Sequence, residues 1–188
     1  MLHDPYTVAA LVVAFSLAVL YRLAAAVRAP SRTGALNNLL TVLMGLGLLL
    51  VATGWTIRAA MLPLLVVLSA AIIWFVAQAA TQGRSWARAP GWSAGGCLYR
   101  AFTLGVALWI LASALPASET VQPQGHQLGS ILGALIGAVV MTLVCAAWLL
   151  GTFATPKQDT TARPIPRLRG LSEALMAGGL ALALLAMA

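Results

Sequence analysis

Few charged residues lie in or beside the apolar stretches of this chain, and these are the first candidates for chemistry. Arg22, Arg100 and Glu173 each lie within a turn or two of the end of such a stretch. Long side chains in this position can snorkel to the membrane interface, so we expect snorkelling here. Glu173 is also expected to pair with Arg169, one helical turn earlier. A proton-relay or ion-site role for Glu173 stays open, because buried ionisable groups in membranes are usually functional.

Amide side chains are the remaining polar candidates inside the apolar stretches. Asn37 and Asn38 open the second stretch, and Gln78 lies near the end of the third. Amides in membrane helices usually form hydrogen bonds to a neighbouring helix. We therefore expect these three residues to join helices, with a site role as the alternative.

A metal site is conceivable among polar residues outside the apolar stretches. His3, Asp4, Glu119 and His126 comprise both histidines of the chain and two of its four acids. Imidazole and carboxylate groups are ligands for Zn or Cu, so the four could form a metal site together. The alternative is four separate solvated loop residues, since nothing in the spacing brings the loops together.

Several common motifs for metal, nucleotide and haem binding are missing from the sequence. It has no H-E-x-x-H zinc motif, no P-loop, and no G-x-G-x-x-G motif before a helix. Neither histidine falls in an apolar stretch, where the axial ligands of a membrane haem would lie. The sequence therefore predicts a protein that is not an enzyme and binds no cofactor.

The elements that would position these residues are apolar helices. The chain is 61% hydrophobic and 8% charged, and its mean hydropathy is +0.94. So few charges cannot cover a soluble domain of 188 residues, whereas lipid can act as the solvent. Runs of roughly 20 apolar residues without alternation predict helices. The expected fold is an all-α integral membrane protein, a bundle of six transmembrane helices, or five if the last lies in the interface. The predicted spans are 6–27, 36–55, 61–80, 98–115, 128–151 and 171–188.

Charge sets the expected orientation of these spans. Every Lys and Arg except Arg58 lies in or beside the first, third and fifth connections. Cytoplasmic loops are enriched in Lys and Arg, so we predict that these connections are cytoplasmic and that both termini are outside if all six spans cross. The Pro- and Arg-containing segment 155–169 then forms a cytoplasmic loop. The composition, rich in Ala, Leu, Gly and Arg, suggests the plasma membrane of a bacterium.

Lipid and other membrane helices are the expected partners. The net charge of +7 is explained by anionic headgroups at the inner face, so we expect no nucleic acid. Segment 84–92 interleaves Arg and Trp, as a headgroup-binding loop would. The fifth span carries a ladder of small residues on one face, which predicts close packing within the chain, or self-association. The ladder comprises Gly125, Gly129, Gly133 and Gly137.

Two segments resemble a family of small actinobacterial membrane proteins of unknown function. They are residues 32–44 (RTGALNNLLTVLM) and 169–176 (RGLSEALM). The family has His and Met at helical spacing in its second and last helices. Here Asn, Ser and Glu stand at the expected histidine positions, and Met44 and Met176 remain as thioether positions. The resemblance implies a five- or six-helix membrane protein and no specific activity.

Three functions are compatible with these observations. The first is a non-enzymatic accessory or assembly subunit of a membrane complex, favoured by the glycine ladder and the scarcity of intramembrane charge. The second is a transporter or channel for a small solute or ion. The third is metal handling at the outer face by the two histidines and two acids.

Overall fold

The computed structural model describes residues 5–29, 31–54, 58–82, 94–114, 125–154 and 166–187. Within these ranges the chain is all α-helical, with no strand, as the sequence predicts. All six helices are long and apolar enough to cross a membrane. They are α1 (Pro5–Val27), α2 (Arg32–Ala52), α3 (Arg58–Gln82), α4 (Ala94–Ser113), α5 (Gly125–Ala154) and α6 (Pro166–Leu185).

Most helices begin a few residues before the apolar runs from which they are predicted. In α2, the Gly34 amide donates to the Ser31 hydroxyl oxygen at 3.2 Å, so Ser31 caps the helix before its apolar part begins. Helix α3 begins at Arg58, which places Pro63 in its second turn. The other end of α2 is closed by Thr53 and by Gly54, whose φ of 74° favours glycine. A search for apolar runs does not detect a helical turn that precedes the apolar part, so the predicted helices start too late.

Four of the helices form a closed ring. Helix α1 packs against α2, α2 against α4, α4 against α6, and α6 against α1. Helix α3 packs on the outside of α2 and α4, and α5 packs along α6. In the apolar part of α6, 61% of the residues are buried, against 17% in α5. The last helix is therefore an integral part of the bundle, and α5 is the most peripheral.

Successive helices run in opposite directions through the bundle. Arg22 near the end of α1 contacts Asn38 near the start of α2. Likewise Cys145 near the end of α5 contacts the carbonyl of Ala174 near the start of α6. The first, third and fifth connections therefore share one end of the bundle, which we call the basic end. This agrees with the alternation predicted from charge; the cytoplasmic location of this end stays a prediction.

An apolar layer fills the middle of the bundle. It consists of Phe15, Met44, Met176 and Leu180, all no more than 2% exposed. A Cβ atom on Gly179 would lie 2.7 Å from Cε1 of Phe15, so a glycine is needed for the ring to sit there. Small residues thus allow bulky side chains of neighbouring helices to pack closely against one another.

Two glycines of the ladder in α5 lie in close contact with side chains of other helices in the chain. A Cβ on Gly133 would lie 2.7 Å from Trp109 of α4, and one on Gly137 would lie 3.0 Å from Leu184 of α6. Gly129, in contrast, has nothing within 4 Å of its Cβ direction. Gly125 is the first residue of α5, and its surroundings lie outside the described part of the chain. The close packing within the chain is therefore observed at Gly133 and Gly137, the last two positions of the ladder.

Replacing Gly45 by Ala is expected to destabilise the bundle. The added methyl group would overlap Cγ2 of Val19, a β-branched side chain with little rotamer freedom. We expect Gly45→Ala to lower the free energy of unfolding by about 1–3 kcal/mol relative to Gly129→Ala. Because both changes are in helices, their effects on helix propensity cancel. Thermal unfolding of the two variants in detergent measures the difference, and equal stability would contradict the packing described here.

Candidate functional site

Three charged residues are buried together near the basic end, among the residues that the structure describes. Arg22 of α1, Arg100 of α4 and Glu173 of α6 are 3%, 5% and 4% exposed. Arg22 Nη2 donates to Glu173 Oε1 in a close ion pair. Arg100 Nη2 lies 3.7 Å from the same oxygen. We call these three residues the charge cluster; it joins three helices of the ring at one carboxylate.

Both guanidinium groups have further contacts that do not involve Glu173. Arg22 Nη1 donates to Oδ1 of Asn38 at 3.3 Å. The guanidinium carbon of Arg100 lies 5.8 Å from the centre of the Phe75 ring, within cation–π range. Arg22 thus has an additional contact with α2, and Arg100 has one with α3. Because arginine stays protonated, two positive charges face one carboxylate, and the formal charge of the cluster is +1.

The structure corrects the expectation of snorkelling for these residues. Their side chains are 3–6% exposed and point at one another between helices, instead of extending to an interface. Arg22 and Glu173 are 151 positions apart, so the spacing rule that suggested Arg169 as a partner cannot indicate this contact. The rule considers neighbours on one helix, whereas this carboxylate is bound from two other helices.

An amide network lies beside the charge cluster and joins α2 to α3. Asn37 is 2% exposed, and its Oδ1 accepts a hydrogen bond from Trp74 Nε1 at 2.8 Å. Its Nδ2 donates to Oε1 of Gln78 at 3.2 Å. Cys97 Sγ of α4 lies 3.9 Å from that same oxygen, as a weak donor. The predicted helix-joining role of the amides is therefore observed, while Trp74 is a member that the sequence did not indicate.

A cavity of about 700 Å³ opens at the opposite end of the same ring. All four ring helices line it, and most of the lining is apolar, as with Leu11, Leu48, Ile110 and Ala183. Ala183 lies ten residues beyond Glu173 on α6, which places the cavity about 15 Å further along the helix axis. The apolar layer separates the two. Along the axis of the ring, the cavity is thus followed by the buried apolar layer and then by the charge cluster near the basic end.

The proposed outer-face metal ligands fall outside what the structure describes. His3, Asp4 and Glu119 are not among the described residues, and His126 lies in α5 without a described side chain. Among the described residues, no group of three or more His, Cys, Asp or Glu side chains is arranged so that it could hold a metal ion. The metal hypothesis therefore stays a prediction.

Comparisons with known proteins give no relative for this chain. No protein-family model matches it, and no curated protein or solved structure shows significant similarity to it. The resemblance to the actinobacterial family stays a prediction. Any function has to be inferred from the contacts of the chain's own residues.

Removing Arg22 should destabilise the protein strongly, because Glu173 would lose its closest partner. For Arg22→Met we expect a loss of about 3–5 kcal/mol in the free energy of unfolding, as when one member of a buried pair is deleted. The matched control is Arg28→Met, since Arg28 is exposed and a change there should stay within about 0.5 kcal/mol. Adding Glu173→Gln to Arg22→Met should cost less than the sum of the single changes. Additive effects in this double-mutant cycle would show that the pair contributes nothing.

The amide network predicts an order of stabilities. Trp74→Phe removes one hydrogen bond and should cost about 1 kcal/mol, because Asn37 keeps Gln78 as a partner. Asn37→Leu leaves both Trp74 and Gln78 without that partner and should cost about 2–3 kcal/mol. Thermal unfolding in the same detergent compares the two variants. The network would be disproved if Asn37→Leu were no more destabilising than Trp74→Phe.

Proposed function

We propose that this chain is a multi-pass protein of a bacterial plasma membrane that moves a small solute or ion through its four-helix ring. The observation that supports this most directly is the charge cluster. Three ionisable side chains are buried inside a bundle of helices long enough to cross a membrane. Such groups are expensive to keep in a membrane and usually mark a pathway for ions or substrates. The scarcity of charge that argued against transport on sequence grounds is offset by this convergence.

The cavity supports the same proposal. A volume of about 700 Å³ is within the range of pockets that hold small molecules. It opens at the end away from the charge cluster, and the buried side chains of Met44 and Met176 lie between the two. A ring that is open at one end and closed in the middle fits a transporter with alternating conformations better than a permanently open channel.

An accessory or assembly subunit remains the second candidate. Helix α5 supports it, because only 17% of its apolar part is buried and Gly129 has open space beside it. A small residue on an exposed helix face can accept a helix of another protein. Native electrophoresis after mild solubilisation tests this candidate: a stoichiometric second chain would favour it, and a lone monomer would count against it.

Flux into proteoliposomes tests the transport proposal. The panel would contain one cation, one anion and one neutral solute: labelled rubidium, labelled chloride and labelled glycerol. We expect uptake of at least one of them above that of empty liposomes. It should fall at least tenfold in Glu173→Gln and Arg100→Gln, which alter the charge cluster. The control is Arg28→Gln, which removes an exposed charge at the same end and should leave uptake unchanged.

The outcome that would refute transport is specific. All variants should first be shown to be monodisperse and helical, so that loss of fold is not mistaken for loss of transport. Uptake no greater than that of empty liposomes for all three solutes, or uptake unaffected by both cluster variants, would contradict the proposal.

A further inference from the structure

We infer that the cavity at the open end of the ring is a binding site for one hydrocarbon chain of a membrane lipid. The chain enters from the leaflet at that end, and the headgroup of the lipid stays outside the ring. The inference goes beyond the proposed function and does not rest on it, because binding of a lipid chain requires no transport.

The lining of the cavity offers apolar contacts and almost no polar partner. Of the described residues that line it, only Thr53 has a polar side chain, and Thr53 is exposed at the end of α2. Its hydroxyl donates to the Leu49 carbonyl oxygen at 2.9 Å, so its proton already has a partner. The Gly54 amide likewise donates to the Val51 carbonyl oxygen at 3.1 Å. A polar solute loses hydrogen bonds on entering such a space, whereas a hydrocarbon chain loses none.

The depth of the cavity matches one leaflet of a bilayer. On α1 the lining extends from Phe15, near the middle of the helix, to Val8, near its start. This is about 10 Å along the axis at about 1.5 Å per residue. Half of the hydrocarbon core of a bilayer is about 15 Å thick. The cavity therefore lies at the level of the acyl chains of a single leaflet, and these chains are the apolar groups that surround the bundle at that depth.

A route from the lipid into the ring lies between α4 and α6. Among the described residues, these two helices make the least extensive of the four contacts in the ring. A second cavity, of about 120 Å³, lies between α4, α5 and α6. Ile110 and Met187 line both cavities, and Met187 is 40% exposed. Because methionine is unbranched and flexible, Met187 can move aside and join the two spaces.

The size of the cavity is sufficient for such an occupant. Its volume of about 700 Å³ is within the range of pockets that bury most of the surface of a small molecule. Phe15 is 1% exposed and lies against Gly179 at the inner end of the cavity. The chain therefore stops near the middle of the membrane and does not reach the charge cluster.

Photocrosslinking in vesicles tests the inference on the full chain. The probe is a phosphatidylglycerol with a diazirine midway along one acyl chain, diluted into vesicles of phosphatidylethanolamine and phosphatidylglycerol. Mass spectrometry of peptides locates the labelled residues. Leu11 and Leu48 line the cavity and are only 1% and 2% exposed, so lipid outside the bundle does not reach them. We expect their labelling to be at least tenfold greater than that of Leu68, which is 0% exposed and lines neither of the two cavities.

A variant that fills the cavity provides the second measurement. Ala183 lines the cavity, and Ala183→Phe should lower the labelling of Leu11 and Leu48 at least tenfold. The matched control is Ala10→Phe, because Ala10 is exposed near the same end of α1 and its replacement should leave that labelling unchanged. If Ala183→Phe does not fold, Ala52→Leu replaces it, since Ala52 lines the cavity from α2.

Three results would overturn the inference. The first is labelling of Leu11 and Leu48 no greater than that of Leu68. The second is labelling that a folded cavity-filling variant does not reduce. The third is labelling of the two leucines by a free phenyldiazirine but not by the lipid probe, which would assign the cavity to small apolar solutes instead of lipid chains.

Lipid binding and transport can fail independently. Labelling inside the ring with the expected pattern, but no uptake of rubidium, chloride or glycerol, would confirm the lipid site and reject the transport function. Uptake that depends on the charge cluster, without labelling of Leu11 and Leu48, would support transport and reject the lipid site.

Discussion

The contact on which the rest of the structure depends is the ion pair between Arg22 and Glu173. It joins the first helix to the last, and Arg100 adds the fourth helix to the same carboxylate. Helices in lipid gain little from hiding apolar side chains, because the acyl chains are equally apolar. A buried charge pair, in contrast, is satisfied in one arrangement only, since a shift of either helix by one turn leaves a charge without its partner. The pair therefore fixes the relative depth of three helices.

The polar contacts of the bundle become weaker with distance from that pair. Charges join α1, α4 and α6. Asn37 donates a hydrogen bond that connects α2 to α3, and Asn38 accepts one from Arg22 that connects α2 to α1. Helix α5 is held by small-residue packing and by the contact of Cys145 with the Ala174 carbonyl. The two extremes match the burial of the helices, which is greatest in α6 and least in α5, whereas α1 is less buried than α2. The carboxylate of the ion pair thus lies on the most buried helix.

Hydropathy alone is enough to predict six helices in this chain, and charge alone predicts that they alternate in direction. Asn37, Asn38 and Glu173 stand out in the sequence because polar residues in apolar runs are rare, and all three lie in the polar contacts. The role of Arg22 could not be predicted, because its partner is 151 positions away and nothing in the sequence states which helices are neighbours. Trp74 was missed for a related reason: its ring is apolar, and only the position of Asn37 shows that its N–H has a partner. Helix faces are also hard to assign when nearly every position is apolar.

The ion pair can form only late in synthesis, because its two residues are far apart in the sequence. The 151 positions between Arg22 and Glu173 take roughly 8–30 s to translate at about 5–20 residues per second. In a chain that enters the membrane during translation, the first helix therefore waits with an unmatched arginine until the last one emerges. During that interval the guanidinium has to remain among headgroups or against the translocation machinery. The final step of assembly is then the withdrawal of this charge from the interface into the bundle, and a nascent chain that stops before α6 keeps Arg22 without its carboxylate partner.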